Sequence, residues 1–310
     1  MNLPLVLLLA LAATPLPTER LDVATEFDGR LQTRRLSWYF PRRLQPLAQD
    51  LSRRGERLWS KIARELGEAA PGRVTVVLAV DNAQMRRAVP QAADLPEWAA
   101  GAALGRLGLV LLAAATAGGR DPARVLAHEL AHLALYRLAG SHHIPRWFQE
   151  GFAQYQADEW SFERARTLAW GSVSGKLFSL RALTYGFPDA AGEVRLAYAQ
   201  SVDFISFLME KAGPAKFSEM VRRMVAGDPL AAALEETYDT GVELLEQEWL
   251  ASLRRRFTWV PLLTGTAALW SLVVLIFLLA YLRRRRQRRR RLEQMEAEER
   301  AEMLPPQSRQ

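Results

Sequence analysis

The sequence feature that most constrains the fold is the segment 121–155, which contains the pattern His-Glu-Leu-Ala-His at 128–132. Local signals predict a helix through this pattern. Asp121 is a good N-cap because its carboxylate accepts amide protons of the first turn, and Pro122 suits the first helical position. Gly140 marks the expected end of the helix, and no other Gly or Pro lies between Pro122 and Gly140.

On such a helix the two histidines lie one turn apart on the same face. His128 and His132 are four residues apart, so their rings project in the same direction and can share one metal ion. Glu129 lies about 100° around the helix from His128, beside the metal without binding it. The pattern is typical of a zinc site in which neutral imidazoles are ligands and a carboxylate takes a proton from water.

Two histidines leave such a site one protein ligand short, since catalytic zinc usually has three. The segment 144–155 offers the third. Pro145 is expected to open a second helix after the turn at Gly140, and Glu150 lies on that helix. An inward-facing carboxylate there completes a site of two histidines and one glutamate.

The two predicted helices together resemble the gluzincin clan of zinc peptidases, which contains thermolysin-like enzymes and membrane aminopeptidases. The likeness rests on H-E-L-A-H followed by W-F-Q-E-G-F-A-Q-Y at 147–155, and it is greatest to the compact peptidase MA-like members. The resemblance implies one zinc ion held by His128, His132 and Glu150, with Glu129 as general base. It implies an α+β fold, a zincin-like metallopeptidase domain with a small mixed sheet, an active-site helix and a helical C-terminal part.

Other zinc chemistries fit the sequence less well. The position six residues after His132, where a metzincin has its third histidine, is Leu138. His142 and His143 lie between the predicted helices and are interpreted as exposed loop residues. A purely structural zinc site is the weaker alternative, because an open fourth position with Glu129 beside it favours catalysis.

The resemblance also suggests further site residues. Tyr198, within A-Y-A-Q-S at 197–201, matches the region from which gluzincins donate a proton to the oxyanion, and Tyr185 is the second choice. Gln154 stands where thermolysin-like enzymes carry an acid that orients a zinc-bound histidine, and its amide oxygen can accept the same hydrogen bond. Asp158 is the alternative acceptor for that bond.

The segment before the zinc helix is expected to face the substrate. Residues 98–105 are predicted to be a loop of small residues that precedes a strand at 107–112. In gluzincins the strand upstream of the zinc helix is the sheet edge to which an extended peptide adds, and Gly101 and Ala102 occupy the matching place. Membrane aminopeptidases carry G-x-M-E-N there, whose glutamate holds the free amine. Because residues 101–105 include no carboxylate, an endopeptidase is favoured, with a simple tight bend as the alternative reading.

Periodicity predicts the remaining elements. Strands are expected at 35–40 and 73–80, and an amphipathic helix at 44–66. The C-terminal part is expected to be helical, with helices over 193–209, up to 225, 230–238 and 242–253. On this basis residues 18–120 form the N-terminal α/β part of the catalytic domain, and residues 121–256 form its zinc-binding and helical part.

Both ends of the chain carry apolar segments. Residues 1–13 are almost wholly apolar, which predicts a signal peptide over 1–17, with an uncleaved anchor or a buried helix as the alternative. Residues 261–282 have no charged side chain, and a transmembrane helix over 258–282 matches a bilayer core of about 30 Å. Nine residues, 283–291, then include eight Arg, which by the positive-inside rule makes the tail 283–310 cytoplasmic.

Composition narrows the classes of function. The sequence has no Cys, which excludes disulfides, thiolate metal sites and cysteine nucleophiles. Ten Arg and five Glu in the tail supply most of the net charge of +7, so the basic balance belongs to the tail. The tail is interpreted as the flank of a stop-transfer anchor, with binding to nucleic acid or acidic lipid as the alternative, and no nucleic-acid partner is expected. The sequence therefore predicts a single-pass bacterial membrane zinc metallopeptidase, extracytoplasmic, with a peptide or protein substrate in the cell envelope. The alternative is a catalytically silent zincin-fold membrane protein that binds peptides or builds an assembly.

Overall fold

A computed structural model describes residues 26–67, 72–115, 119–159, 161–257 and 266–302. Within these ranges one compact unit extends to Arg256 and a second begins at Phe257. The predicted signal peptide at 1–17 lies outside the described residues, as does the start of the predicted span, 258–265.

A mixed sheet, five-stranded within the described ranges, forms the N-terminal part of the first unit. Its strands are β1 (Gly29–Gln32), β2 (Leu36–Phe40), β3 (Val74–Ala79), β4 (Gly101–Leu104) and β5 (Leu109–Ala113), in the order β1-β2-β3-β5-β4. The central strands β2, β3 and β5 are parallel, and the outer strands β1 and β4 are antiparallel to their neighbours. β5 is buried along its whole length, as its Leu-rich sequence predicts for a strand covered on both faces.

The edge of the sheet differs from the sequence prediction. Residues 101–104 form a strand rather than a loop, and this strand, β4, is the edge strand next to α3, whereas β5 pairs on both sides. A Cβ atom on Gly101 would lie 2.7 Å from Val125 Cγ1, so the absent side chain lets a helix pack directly on the strand. The loop prediction was wrong because Gly and Ala have low strand propensity, and tertiary packing overrides it here.

Helices form most of the remaining structure. They are α1 (Gln45–Glu65), α2 (Asn82–Arg86), α3 (Pro122–Ala139), α4 (Arg146–Gln156), α5 (Phe162–Ser174), α6 (Leu180–Tyr185), α7 (Ala191–Ala226), α8 (Leu230–Tyr238) and α9 (Val242–Phe257). The predicted helix 44–66 and the helices after residue 193 are confirmed. α7 bends at Gly213, with φ 76° and ψ 174°, just before Pro214, where the sequence predicts a break.

The central helix α3 is capped as the sequence predicts and is buried all round. Asp121 Oδ1 accepts the amide proton of Ala123 at 2.9 Å, and Gly140 ends the helix with φ 56°. Every side chain from Val125 to Leu135 is buried. A helix of this kind carries its few polar side chains into the interior of the protein, where each needs a partner or a ligand.

The second unit contains the helix α10 (Thr266–Glu302). Its apolar side chains from Trp270 to Leu282 are exposed, and the arginine-rich run follows them. Among the described residues, no helix combines the length and the apolar character that crossing a membrane requires. The predicted transmembrane helix at 258–282 is therefore not confirmed.

Candidate metal centre

Two adjacent helices bring the candidate metal ligands together. α3 carries His128, Glu129 and His132, and α4 carries Glu150; all four side chains are buried. The ligand atoms of His128, His132 and Glu150 lie within 4.8 Å of one another. These three residues, all within the described part of the chain, are arranged so that together they could hold a metal ion.

The position of Glu150 depends on how closely α4 packs against α7. A Cβ atom on Gly151 would lie 2.6 Å from the carbonyl oxygen of Ser201, so a glycine is needed where the two helices meet. On the same face Phe148 and Phe152 each stack on Phe217, with ring centroids 5.7 Å apart. This contact fixes one face of α4 and leaves Glu150 directed at the histidines.

The distances in the cluster suit a tetrahedral ion. His128 Nε2 lies 3.1 Å from His132 Nε2 and 4.0 Å from Glu150 Oε2. Zinc bonds of about 2.0–2.1 Å separate tetrahedral donors by roughly 3.3 Å. Both histidines therefore present Nε2 to one point, and a small movement of Glu150 brings its oxygen to the same point.

Burial keeps both histidines neutral. It lowers the pKa of His128 to about 3, with the charges of Arg164 and Arg120 acting in the same direction. Burial also lowers the pKa of His132 well below its usual value, and His128 adds to this effect. Neutral imidazole is the form that binds a metal, so the site is ready for a cation without losing a proton from either ring.

Burial shifts the pKa values of the two carboxyl groups, Glu129 and Glu150, in the opposite direction. Burial raises the pKa of Glu129 to about 8, and the negative charges of Glu150 and Glu159 contribute to the shift. Burial also raises the pKa of Glu150 to about 8, although Arg146 opposes the shift. A divalent cation would relieve this cost, because it favours the ionised form of each carboxyl.

Unpaired polar atoms give independent support for a cation-binding site. Oε2 of Glu129 and Oε1 of Glu150 are buried and have no hydrogen-bond partner among the described residues. Such groups are rare in folded proteins and call for an explanation. Two neutral imidazoles and a carboxylate with free lone pairs are the donor set that zinc prefers, so these residues fit the ion.

Glu129 is also tied to the edge strand. The backbone N–H of Ala103 in β4 donates a hydrogen bond to its carboxylate. A Cβ atom on Gly101 would lie 3.0 Å from Glu129 Cγ, so the strand passes directly over the side chain. The structure thus brings the predicted substrate segment, Gly101 and Ala102, to the proposed base.

Tyr198 lies beside the cluster on α7. Its side chain is buried, and its hydroxyl oxygen accepts a hydrogen bond from Arg146 Nη2 at 3.4 Å. Burial raises the pKa of Tyr198 to about 12; the charge of Glu150 adds to the shift and Arg146 opposes it. The phenol therefore keeps its proton near Glu150, whereas the second candidate, Tyr185, is 83% exposed. The role of Tyr198 stays a prediction.

Gln154 and the remaining histidines have no demonstrated part in the site. Gln154 is buried, and its Oε1 atom has no hydrogen-bond partner among the described residues. Its predicted bond to a zinc-bound histidine is not formed in this structure and stays a prediction. His142 and His143 are exposed in the turn between α3 and α4, as expected.

Sequence reasoning did not anticipate an acid and an arginine on the outer side of His128. Glu159 Oε1 lies 3.8 Å from His128 Nδ1, and Glu159 Oε2 accepts a hydrogen bond from Arg164 Nη2 at 2.7 Å. Asp158, the predicted alternative acceptor, is exposed instead. The signal in the sequence was weak, since Glu159 follows the end of α4 and has no fixed spacing from His128.

The fold and the site together define a class. An α+β unit that presents a buried H-E-x-x-H helix, with a glutamate from the next helix, is a candidate metal-dependent hydrolase. The chain belongs to the Peptidase MA superfamily, whose family model matches residues 59–255. Family membership and the His-His-Glu cluster support a zinc-dependent metallopeptidase and confirm the resemblance seen in the sequence. Among curated proteins no significant match is found.

Solved structures that match this chain include M1 zinc metallopeptidases. The enzyme from Deinococcus radiodurans is 18% identical with a TM-score of 0.40, over 72% of this chain and 50% of that chain. A two-domain M1 zinc metallopeptidase mutant bound to L-arginine is 18% identical with a TM-score of 0.42, over 69% of this chain and 48% of that one. This chain thus spans about half the length of the structures it matches.

Proposed function

We propose that this protein is a zinc-dependent endopeptidase that hydrolyses peptide bonds with Glu129 as general base. The observation that carries the proposal is the convergence of His128, His132 and Glu150 within 4.8 Å, with the buried carboxyl of Glu129 next to them. His128, His132 and Glu150 would hold the ion. When bound, zinc lowers the pKa of a water molecule and polarises the scissile carbonyl.

Glu129 carries out the proton transfers, and Ala103 and Tyr198 assist through hydrogen bonds. Glu129 accepts a proton from the attacking water and later delivers it to the leaving amine nitrogen. The Ala103 amide holds the Glu129 carboxylate in place. Tyr198 is protonated at neutral pH, and its pKa, raised to about 12, keeps it so in alkaline solution; its hydroxyl donates a hydrogen bond to the developing oxyanion. A well-placed donor of this kind contributes roughly 3 to 4 kcal/mol.

The edge strand β4 supports cleavage inside a chain rather than at its end. An extended peptide can add to a free strand edge through backbone hydrogen bonds, which are independent of the substrate's termini. Residues 101–105 of this segment offer no carboxylate to hold a free amine. The described contacts of this strand with Glu129 are the backbone amide of Ala103 and the close approach of Gly101.

Membrane attachment is part of the proposal and is supported by the sequence pattern. The uncharged segment 261–282 and the arginine-rich segment 283–291 favour a single-pass anchor with a cytoplasmic tail. The catalytic unit would then face the cell envelope, where its peptide or protein substrates lie. Fractionation of cells, followed by protease treatment of intact and lysed spheroplasts, tests this arrangement; a chain found in the soluble fraction contradicts it.

The decisive experiment compares the parent with Glu129→Gln on a peptide library whose N-termini are acetylated and C-termini amidated. The variant keeps the shape of the side chain and an oxygen for the Ala103 amide, but it cannot accept the proton. We expect internal cleavage by the parent, a loss of about 10²–10⁴ in turnover for the variant, and unchanged zinc content. Mass spectrometry of the products locates the cleaved bonds.

The matched control is Glu235→Gln, which removes an exposed carboxylate from α8 and should cleave like the parent. Equal cleavage by Glu129→Gln would refute the assignment of the base. Cleavage restricted to peptides with free N-termini would make the protein an aminopeptidase. A parent that binds zinc and peptides but cleaves none would favour the catalytically silent module, and a parent without zinc would contradict the metal centre itself.

A further inference from the structure

The turn after α4 places a carboxylate behind His128, on the side of the ring away from the metal cluster. The ring nitrogen Nε2 faces His132 and Glu150, at 3.1 Å and 4.0 Å. The other nitrogen, Nδ1, faces Glu159 Oε1 at 3.8 Å. The histidine therefore lies between the three-ligand cluster and an acid that belongs to a different part of the chain.

The backbone around Glu159 holds this carboxylate in place. Asp158 adopts a left-handed conformation with φ 50°, which turns the chain back at the end of α4. The amide of Glu159 then donates to the carbonyl oxygen of Gln154 at 3.1 Å. This turn has the hydrogen-bond pattern of a helix C-cap, so the direction of the Glu159 side chain is set by a local structure.

Arg164 fixes the other end of the acid. Ser161 Oγ caps α5 by accepting the amide proton of Arg164 at 3.3 Å, so Arg164 lies in the first turn of α5. From there its guanidinium donates to Glu159 Oε2 at 2.7 Å. Both side chains are about three-quarters buried. One oxygen of Glu159 is thus engaged, and the other remains directed at His128.

His128 needs an acceptor at that position once Nε2 binds a metal. A neutral imidazole that ligates through Nε2 carries its proton on Nδ1. In this structure Nδ1 is buried and has no hydrogen-bond partner among the described residues. A movement of under about 1 Å would bring Glu159 Oε1 within hydrogen-bond distance of it.

We propose that Glu159, held by Arg164, is a positioning residue of the metal centre and accepts the Nδ1 proton of His128. The bond fixes the tautomer and the orientation of the ring and makes Nε2 a stronger donor to the metal. This inference rests on the proposed zinc site. It adds to that site a residue on the opposite side of the ring from the three ligands.

The test measures zinc affinity of the purified full chain by competition with a chromogenic chelator. Glu159→Ala should weaken zinc binding about 10- to 100-fold, as removal of such outer partners does. Glu159→Gln should recover most of this loss, because its amide oxygen can still accept the proton. Asp158→Asn is the matched control; it removes a neighbouring but exposed carboxylate and should bind zinc within about twofold of the parent.

A second measurement separates positioning from a general loss of structure. In the zinc-loaded protein labelled with ¹⁵N-histidine, a hydrogen-bonded Nδ1–H of His128 should give a slowly exchanging downfield proton signal. The signal should be present in the parent, in Asp158→Asn and in Glu159→Gln, and absent from Glu159→Ala. A purely structural role for Glu159 would not produce this pattern.

The outcomes separate this inference from the proposed function. If the parent binds zinc and Glu159→Ala binds it within about twofold, Glu159 has no positioning role, while the zinc site stands. The positioning role is equally refuted if Glu159→Gln binds zinc as weakly as Glu159→Ala and the His128 signal is unchanged in both variants. A parent that binds no zinc overturns the metal centre, and the role of Glu159 with it.

Discussion

Two equally buried carboxyl groups in this molecule differ in the partners that the fold gives them. Asp203 of α7 and Glu150 of α4 are each 1% exposed. Asp203 accepts hydrogen bonds from Trp249 Nε1 at 2.8 Å and from Arg256 Nη2 at 2.8 Å and Nη1 at 3.1 Å. Glu150 has an oxygen without a partner among the described residues, and its nearest cluster neighbour, His128, is neutral.

The difference separates an acid that the fold itself neutralises from a candidate metal ligand. The charge of Asp203 is compensated by the fold itself, because a cation and an indole N–H come from α9. Among the described residues Arg146 opposes the raised pKa of Glu150, and the Ala103 amide and Arg120 oppose that of Glu129, but burial outweighs them and drives both carboxyls toward the neutral form. Burying an ion without a partner is costly, so the second arrangement is expected only where a bound group supplies the missing charge.

The largest effect that tests this difference is on zinc affinity. Glu150→Gln should weaken zinc binding more than about 100-fold, beyond the range typical of residues that act through a ligand, or more than about 2.7 kcal/mol. The metal-free variant should be as stable as the parent or more stable, because Gln is neutral in both the folded and the unfolded state and folding no longer has to protonate a buried carboxyl. Zinc titration and urea unfolding in the presence of a chelator measure both. A metal-free variant several kcal/mol less stable would show that Glu150 is structural, like Asp203.

Asp203→Ala should give the reverse result. It leaves the indole N–H of Trp249 without an acceptor and separates the guanidinium of Arg256 from its acid. We expect a loss of about 2–4 kcal/mol in the free energy of unfolding, below the full value for a buried pair because Arg256 is 40% exposed. Zinc affinity of the folded protein should change by less than about threefold.

The control for this prediction is the exposed pair of Lys211 and Glu248, which are 2.6 Å apart. Glu248→Ala should cost no more than about 1 kcal/mol, since surface ion pairs contribute little. If Asp203→Ala were no more destabilising than Glu248→Ala, burial and hydrogen bonding would not distinguish the two acids. The comparison with Glu150 would then lose its basis.

The smallest predicted effect is a pH dependence of the stability of the metal-free protein. The pKa values of Glu129 and Glu150 are raised from 4.5 in the unfolded chain to about 8 in the folded protein. Between pH 4.5 and about pH 8 the folded protein therefore holds protons that the unfolded chain has lost. Its stability must therefore fall as the pH rises through this window. The histidines act in the opposite sense below about pH 6.5, because their folded-state pKa values are lowered.

Above pH 6.5 the contribution of the histidines fades as the unfolded chain loses its imidazole protons, and that of the carboxyls dominates. We expect the free energy of unfolding to fall by roughly 1 kcal/mol per pH unit or more up to about pH 8. Urea unfolding of the chelator-treated protein at several pH values measures the slope. Glu129→Gln should reduce it, and saturating zinc should abolish it. A slope of zero in the metal-free parent would mean that these carboxyls are not buried as unpaired acids.

The local part of the site was predictable from sequence. The helix α3, its caps at Asp121 and Gly140, and the common direction of His128 and His132 follow from neighbours within a few residues. These features depend on helix geometry, which is the same in any fold. Glu150 is a different case, since only the family-like pattern around it indicated that it faces the histidines.

Contacts that cross between distant segments were not predictable from sequence. The strand β4 was expected to be a loop, and neither the Ala103 amide on Glu129 nor the Glu159 carboxylate behind His128 was anticipated. The strand packs on α3 because Gly101 has no side chain at the point of contact. Glu159 reaches the ring of His128 because Asp158 reverses the direction of the chain. Neither contact produces a periodic pattern in the sequence.

By itself, the sequence determined which side chains are candidates for the chemistry and that two of them share one helix face, because helical spacing is a local property of the backbone. Only the tertiary structure decided that the third candidate ligand joins them, that the edge strand holds the proposed base, and that a partly buried acid lies behind His128. Those arrangements depend on how separate elements pack, and the free energy of packing is a property of the assembled core rather than of any one segment.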